Sequence, residues 1–400
     1  MGWPVERTAE GGLVRLGFYI PVLDDKPAGV GVYIEEVCSR LVRLFPDCVV
    51  FTGTPDGQRE WLKGVKVVPI SRDSFPQVGL ARGLRRRAKR LTWLASRCAW
   101  ALPRHGVDVL FSPVQEGPLV GSTPSVVVMH DITALKFPDG YDRGTVAQTR
   151  WVLPRMLRRA HKVVAVSQNT RDDLLGEFRL APTQVEVVGE GYDRSVFFPR
   201  SATDIAAVTA AHGLNTRYLL YAGTFSKHKN VGLVVEALAR LGPSFGDVHL
   251  ALVGRSDVGA GAELAALVTR LGLQPRVHRL GYVTRDSLAT LMSGAACFAY
   301  PSRYEGFGLA PLEAMACGAP VIASRVASLP EVVGEGGRLV EPGVESWASA
   351  LQATLAQDRA SASRAAVTQA ARFDWDDAAA RLAQIISSAA VSGSSYERAE

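Results

Sequence analysis

Two glutamates eight positions apart, Glu305 and Glu313, lie in the stretch CFAYPSRYEGFGLAPLEAMACGAPVIASR, residues 297–325. On one continuous helix they would share a face after about two turns. The preferred reading puts Glu305 on a loop with Gly306-Phe307-Gly308, and Glu313 on a helix from Leu309 to Cys317 that stops at Gly318-Ala319-Pro320. A loop above the carboxyl ends of parallel strands is where open α/β sheets bind ligands. The helix N-terminus near Gly308 presents unpaired N–H groups and positive potential, which suit a phosphate. Glu313, in the first two turns, is placed for a ribose diol, as acidic residues are in other nucleotide folds. On spacing alone, two solvated glutamates on a buried α/β unit fit equally well.

Three further places carry groups able to do chemistry. His130-Asp131 ends the apolar run SVVVMHD, again at a carboxyl strand edge, where a histidine can donate to a sugar hydroxyl or a leaving oxygen. A lone His-Asp pair is more often structural. The run YLLYAG is followed by Thr224-Phe225-Ser226-Lys227-His228-Lys229-Asn230 and an apolar helix, a layout that clamps a diphosphate, although lysines in turns are usually only solvated. Gly29 and Gly31 follow the run VRLGFYI and precede a helical pattern from Val32 to Leu44; the match to G-x-G-x-x-G fails at Ile34, and a plain tight turn fits as well.

The elements that must position these groups repeat one plan. CFAYPS and PVIAS read as strands around the Leu309 helix, a βαβ unit. Apolar runs at 14–20, 49–53, 107–113, 125–131, 161–167 and 185–191 alternate with helical stretches, and a second series holds runs at 218–223, 248–255 and 277–281. Such alternation predicts doubly wound parallel sheets. Residues 189–204 are polar, contain Pro199 and separate the two series, with the boundary set near 198. In the turn Ser167 to Thr170, Asn169 or Thr170 is expected to cap the next helix. Asp374-Trp375-Asp376 opens a helix instead of ending a strand, so it reads as a cap and not as a metal site.

With 400 residues the chain can form two domains with ample cores. Its hydrophobic fraction of 47% and charged fraction of 21% are those of a globular protein, and no apolar run nears the ~20 residues that span a bilayer. The start has no signal-peptide core, and the five cysteines are scattered without a C-x2-C pair, so a cytoplasmic setting without disulfides or zinc is expected. The net charge of +6 comes from the first half: residues 1–190 hold 26 basic and 20 acidic groups, the remainder 19 of each. No nucleic-acid motif accompanies it. Much of the excess sits in residues 79–105, where Arg82, Arg85, Arg86, Arg87, Lys89, Arg90 and Arg97 alternate with leucines and with Trp93 and Trp100. A basic helix with tryptophans suits an anionic membrane. An ordinary helix packing its leucines on the sheet fits the same pattern.

The 297–325 stretch resembles the E-x7-E signature of retaining glycosyltransferases of the GT-B fold, family 4, in its full form with EGFG and E-A-M-A-C-G-x-P-V. The likeness extends over about residues 14–388 and is carried also by Ala28-Gly29-Val30-Gly31, His130-Asp131, Gly191-Tyr192-Asp193 with Phe198-Pro199, and the Gly223-Thr224 to Lys229 loop. It implies an α/β chain of two Rossmann-like doubly wound parallel-sheet domains facing across a cleft. The acceptor-binding domain is 14–197, the nucleotide-sugar domain is 198–374, and a last helix 375–388 crosses back to the first. Residues 1–13 and 389–400 are expected to be disordered. Among site residues the resemblance implies that His130, with Asp131 in support, faces the transferred sugar and that Glu305 lies beside it. Glu313 would hold the ribose. Lys229, with Gly29, Gly31, Gly223, Thr224, Arg255 and the amides of Phe307, Gly308 and Leu309, would hold the diphosphate, while Tyr282 and Val283 border the base. Thr224 and His228 stand where many members have arginine.

The implied activity is transfer of a hexose, with mannose favoured, from a nucleotide-diphospho sugar to a glycan, lipid-linked or small-molecule acceptor. No cofactor or metal is called for, and attack from the front face with the leaving phosphate as base is the implied course. An epimerase or a sugar phosphorylase on the same architecture, or an inactive sugar- or membrane-binding module, are the competing readings.

Overall fold

The computed structural model describes residues 13–23, 29–54, 59–70, 87–255 and 258–396. The chain forms two units: unit 1 takes residues 1–135, 142–189 and 375–400, and unit 2 takes 136–141 and 190–374.

Unit 1 is built on a seven-stranded sheet. Its strands are β1 (Leu16–Ile20), β2 (Cys48–Thr52), β3 (Lys66–Pro69), β4 (Val109–Ser112), β5 (Ser125–Met129), β6 (Lys162–Ala165) and β7 (Val185–Val187). They lie in the order β3-β2-β1-β4-β5-β6-β7, every pair parallel. The central strands are buried along their whole length, which is why they read as unbroken apolar runs: a parallel sheet is covered on both faces. Edge strand β3 escapes the sequence pattern because KVVP is half-exposed and ends in a proline, as edge strands tolerate.

Unit 2 repeats the plan with β8 (Tyr218–Ala222), β9 (His249–Val253), β10 (Val277–Gly281), β11 (Cys297–Tyr300), β12 (Val321–Ser324) and β13 (Gly337–Val340). The order is β10-β9-β8-β11-β12-β13, again all parallel. In each unit the chain winds outward one way from the first strand, then jumps back beside it and winds the other way. The reversal opens a crevice at the carboxyl ends of β1 and β4 in unit 1, and of β8 and β11 in unit 2.

Several boundaries differ from the sequence reading. The passage between units falls at Gly189–Glu190, not near 198. The segment that follows is bound to unit 2: Asp193 pairs with Arg285, the Arg285 guanidinium lies over Phe197, and the Arg200 N–H donates to Ser293. The last helix runs Trp375–Tyr396, past the expected end at 388, and Ala389 and Ala390 are buried rather than part of a loose tail. It packs on the helix Val30–Leu44 and on β4 and β5, with Trp375 edge-on to Tyr33. Asp376 pairs with Arg40 and Asp374 with Arg194, so the two carboxylates of that D-x-D serve different partners. The helix Gln168–Phe178 is capped by Ser167, whose hydroxyl accepts from the Thr170 N–H, not by Asn169 or Thr170. The expectation for residues 1–13 lies outside the described residues save Leu13, as does the 79–86 part of the basic stretch.

Candidate active site

The unit 2 crevice joins two loops far apart in sequence. The loop after β8 carries Lys229 on a single 3-10 turn, Lys227–Lys229, closed by Asn230 in the left-handed conformation at φ 53°. The loop after β11 carries Glu305. The Lys229 Nζ donates to both Glu305 oxygens, at 2.6 and 2.8 Å, and to the Tyr300 hydroxyl at 3.2 Å. The two loops are docked through their backbones as well: the His228 carbonyl accepts from the Arg303 N–H at 2.7 Å and from the Ser302 hydroxyl at 3.3 Å. From below, the buried Ser328 hydroxyl is shared between the carbonyls of Glu305 and Phe307, at 3.0 and 2.7 Å. Burial, then the Glu305 charge, pushes the Tyr300 phenol well above its ordinary range, so it stays neutral beside the ion pair.

Gly308, at φ 117°, turns the chain into the helix Leu309–Ala316. A side chain is disfavoured at this angle, which accounts for the glycine after Phe307. Pro311 has no N–H and the Leu312 N–H donates to the Gly308 carbonyl, so the first-turn amides directed outward are those of Leu309 and Ala310. Glu313 follows one turn later, half-buried. Phe307 is buried, edge-on to Phe373, which makes it a wedge for the loop.

Glycines bring the neighbouring strand ends together. A Cβ on Gly254 would stand 1.9 Å from the Gly223 carbonyl oxygen. The Gly223 N–H donates to Val253 and the Gly254 N–H to Gly281. The Thr224 carbonyl accepts from Tyr221 at 2.6 Å. Arg255 lies over the Tyr282 ring, 6.0 Å from its centroid, and Tyr282, followed by Val283, is exposed. Lys229 and Glu305 are thus in contact, with Gly223, Thr224, Arg255, Tyr282, Val283, Phe307, Gly308, Leu309 and Glu313 in the same unit.

His130, Asp131, Gly29 and Gly31 belong to unit 1. His130 is buried at the end of β5, with its Nε2 2.9 Å from the Pro113 carbonyl oxygen and Tyr33 edge-on at 4.8 Å. A carbonyl only accepts, so His130 Nε2 carries a proton and donates it to Pro113. Asp131 does not brace the ring: its carboxylate accepts from the Thr133 N–H at 2.9 Å. Gly29, at φ 52°, precedes the helix that begins at Val30. Gly31, Ile34, Glu116, His130 and Gln148 are among the residues around a cavity of about 410 Å³ at the β1–β4 crevice. Buried Glu116 accepts there from Tyr19 at 3.0 Å, Arg90 at 3.0 Å and Gln148 at 3.1 Å. Sequence reading missed Glu116, Tyr300 and Ser328. Glu116 stands shortly after the end of β4, as His130 does after β5; the other two show no local signal.

Two family descriptions divide the chain much as the units do. Residues 27–196 match "Glycosyltransferase Family 4" and residues 204–374 match "Glycosyl transferases group 1". The O-antigen chain mannosyltransferase B of Escherichia coli is 31% identical over 258 residues, 63% of this chain and 67% of its own length. A D-inositol 3-phosphate glycosyltransferase of Mycolicibacterium vanbaalenii is 34% identical over 232 residues, 54% of this chain and 50% of its own length. The match thus spans from half to two thirds of these relatives. Among solved structures, Anabaena HepE in complex with UDP and glucose superposes with a TM-score of 0.72 at 23% identity, over 94% of this chain and all of that one. The last comparison shows the fold, GT-B, and with the sequence matches it establishes that the chain belongs to the family 4 glycosyltransferases, glycosyl transferases group 1.

Proposed function

We propose that the protein is a retaining hexosyltransferase that takes its sugar from a nucleotide-diphospho donor bound in the unit 2 crevice. The observation that carries this is the Lys229–Glu305 pair at the strand-order reversal, beside the N-terminus of the Leu309 helix. Departure of a nucleoside diphosphate builds negative charge on the β-phosphate. The Lys229 ammonium and the amides of Leu309 and Ala310 offset that charge from fixed positions, with no metal ion in the scheme. The sugar becomes positive as the bond breaks, and the Glu305 carboxylate stabilises it electrostatically. Lys229 then divides its hydrogen bonds between Glu305 and phosphate. Glu313 takes the ribose diol, and Arg255 and Tyr282 border the nucleoside. A mannose donor is favoured, in keeping with the mannosyltransferase relative, and the acceptor hydroxyl belongs to a glycan, lipid-linked or small molecule.

The test has two parts. A thermal-shift screen of UDP-, GDP-, dTDP- and ADP-sugars identifies the donor, because a ligand bound only by the native state raises stability. With that donor, Glu313→Ala is expected to raise its Kd about tenfold, and Lys229→Ala to lower kcat by roughly two orders of magnitude with a smaller effect on Kd. Wild-type behaviour of both variants refutes the assignment.

A further inference from the structure

Two helical runs of unit 1, 87–104 and 143–159, lie side by side. Arg87 donates to Asp142 and Thr145, Arg90 and Gln148 meet on the same Glu116 oxygen, and Arg159 donates to the Gly121 carbonyl, where a Cβ on Gly121 would touch Ala99. Their inner faces enter one core: Trp93, Leu94, Cys98 and Leu102 from the first run pack with Met156 and Val152 from the second. Their outer faces therefore look away from the sheet on the same side.

That side has an unusual make-up. Trp100 is 64% exposed on one helix and Trp151 63% exposed on the other. Arg104 stacks over Trp100 at 4.7 Å, and Arg155 donates to the Trp151 carbonyl. Arg97, Arg104, Arg150, Arg155 and Arg158 are all exposed. Neither 87–107 nor 143–171 contains an aspartate or glutamate. An exposed tryptophan on a soluble surface keeps a large apolar ring in water, whereas at a bilayer its ring sits at headgroup level and flanking arginines meet lipid phosphates.

We propose that this two-helix face is a docking surface for an anionic membrane, with Trp100 and Trp151 entering the headgroup layer and the five arginines holding the lipid phosphates. The occupant is fixed by charge complementarity together with the paired exposed indoles: a soluble polyanion uses the arginines but leaves the apolar rings unused.

The experiment is co-sedimentation of the full chain with phosphatidylcholine vesicles, with and without phosphatidylglycerol, at low and high salt. Binding to the anionic vesicles alone, weakened by salt, is expected. Trp100→Ala/Trp151→Ala should lower the partition coefficient roughly tenfold, and Arg97→Glu/Arg155→Glu should abolish it. Melting followed by circular dichroism shows whether each variant is folded. For any that is not, Trp100→Ser and Trp151→Ser singly take its place. Sedimentation with neither vesicle, equal sedimentation with both, or binding that the tryptophan variants leave unchanged overturns the proposal. Vesicle binding needs neither donor nor turnover, so this surface stands or falls separately from the roles given to Lys229 and Glu305.

Discussion

Replacing Glu305 by glutamine isolates the energetics of the ion pair before any substrate is added. The Lys229 and Glu305 side chains are only 16% and 11% exposed. Removing one member of such a pair leaves a charge without its counter-charge in a poorly solvated place, which costs ~3–5 kcal/mol. The remaining exposure and the Tyr300 hydroxyl put this case near the lower end, about 3 kcal/mol. In domains of this size each kcal/mol moves the melting midpoint by roughly 2–4 °C, so unit 2 of Glu305→Gln should melt about 6–12 °C lower. Glu305→Gln/Lys229→Met removes both charges at nearly constant volume. Such replacements are close to neutral, so most of the loss should return. Calorimetry of the wild type, both single variants and the double variant gives the coupling directly. A coupling below about 0.5 kcal/mol would refute the claim that Glu305 positions the Lys229 cation.

Other outcomes follow from neighbouring features. Gly254→Ala should destabilise by more than about 2 kcal/mol in denaturant titrations, since it meets both a φ of 131° and the Gly223 carbonyl; a neutral effect would show that β8 and β9 can separate at their ends. Ser328→Ala should cost about 1–2 kcal/mol and lower kcat, because two loop carbonyls lose their donor. His249 and His278 contact each other through ring nitrogens at 2.8 Å, and burial, then the His278 charge, lowers the His249 pKa. The unfolded chain therefore takes up its proton first on acidification, so stability present at pH 7 should fall below about pH 6.5, less so in His278→Gln. Burial pushes the Cys297 and Cys317 thiols up to about 12. All five cysteines are buried, so a thiol reagent should find none in the native protein and five after denaturation.

Features within one strand-loop-helix unit were legible in the sequence because glycine, proline and apolar period act locally. The Leu309 helix, its Gly308 start and both glutamates are of this kind. What could not be read is what strand order creates. Lys229 meets Glu305 only because β8 and β11 are neighbours across the reversal. Glu116 draws its partners from Tyr19, Arg90 and Gln148 on three separate elements, and Pro113 rather than adjacent Asp131 holds the His130 ring. The basic stretch admits two readings from composition, and burial alone separates its residues only in part. Trp93 and Leu94 pack on the sheet as in an ordinary amphipathic helix, while Trp100 stays outside. The second half of that face, around Trp151, gave no composition signal of its own.

The closing helix has a consequence for how the protein is made. Strands β1 to β7 leave the ribosome early, yet the groove over Tyr33 and the helix Val30–Leu44 is filled by Trp375 and the residues after it. At ordinary translation speeds, about 10–40 s separate emergence of Gly189 from that of Trp375. Throughout that wait the early-made half carries an open apolar seam, so chaperone demand should concentrate there. A chain truncated just before Trp375 should keep that demand permanently, even though both sheets are encoded in full.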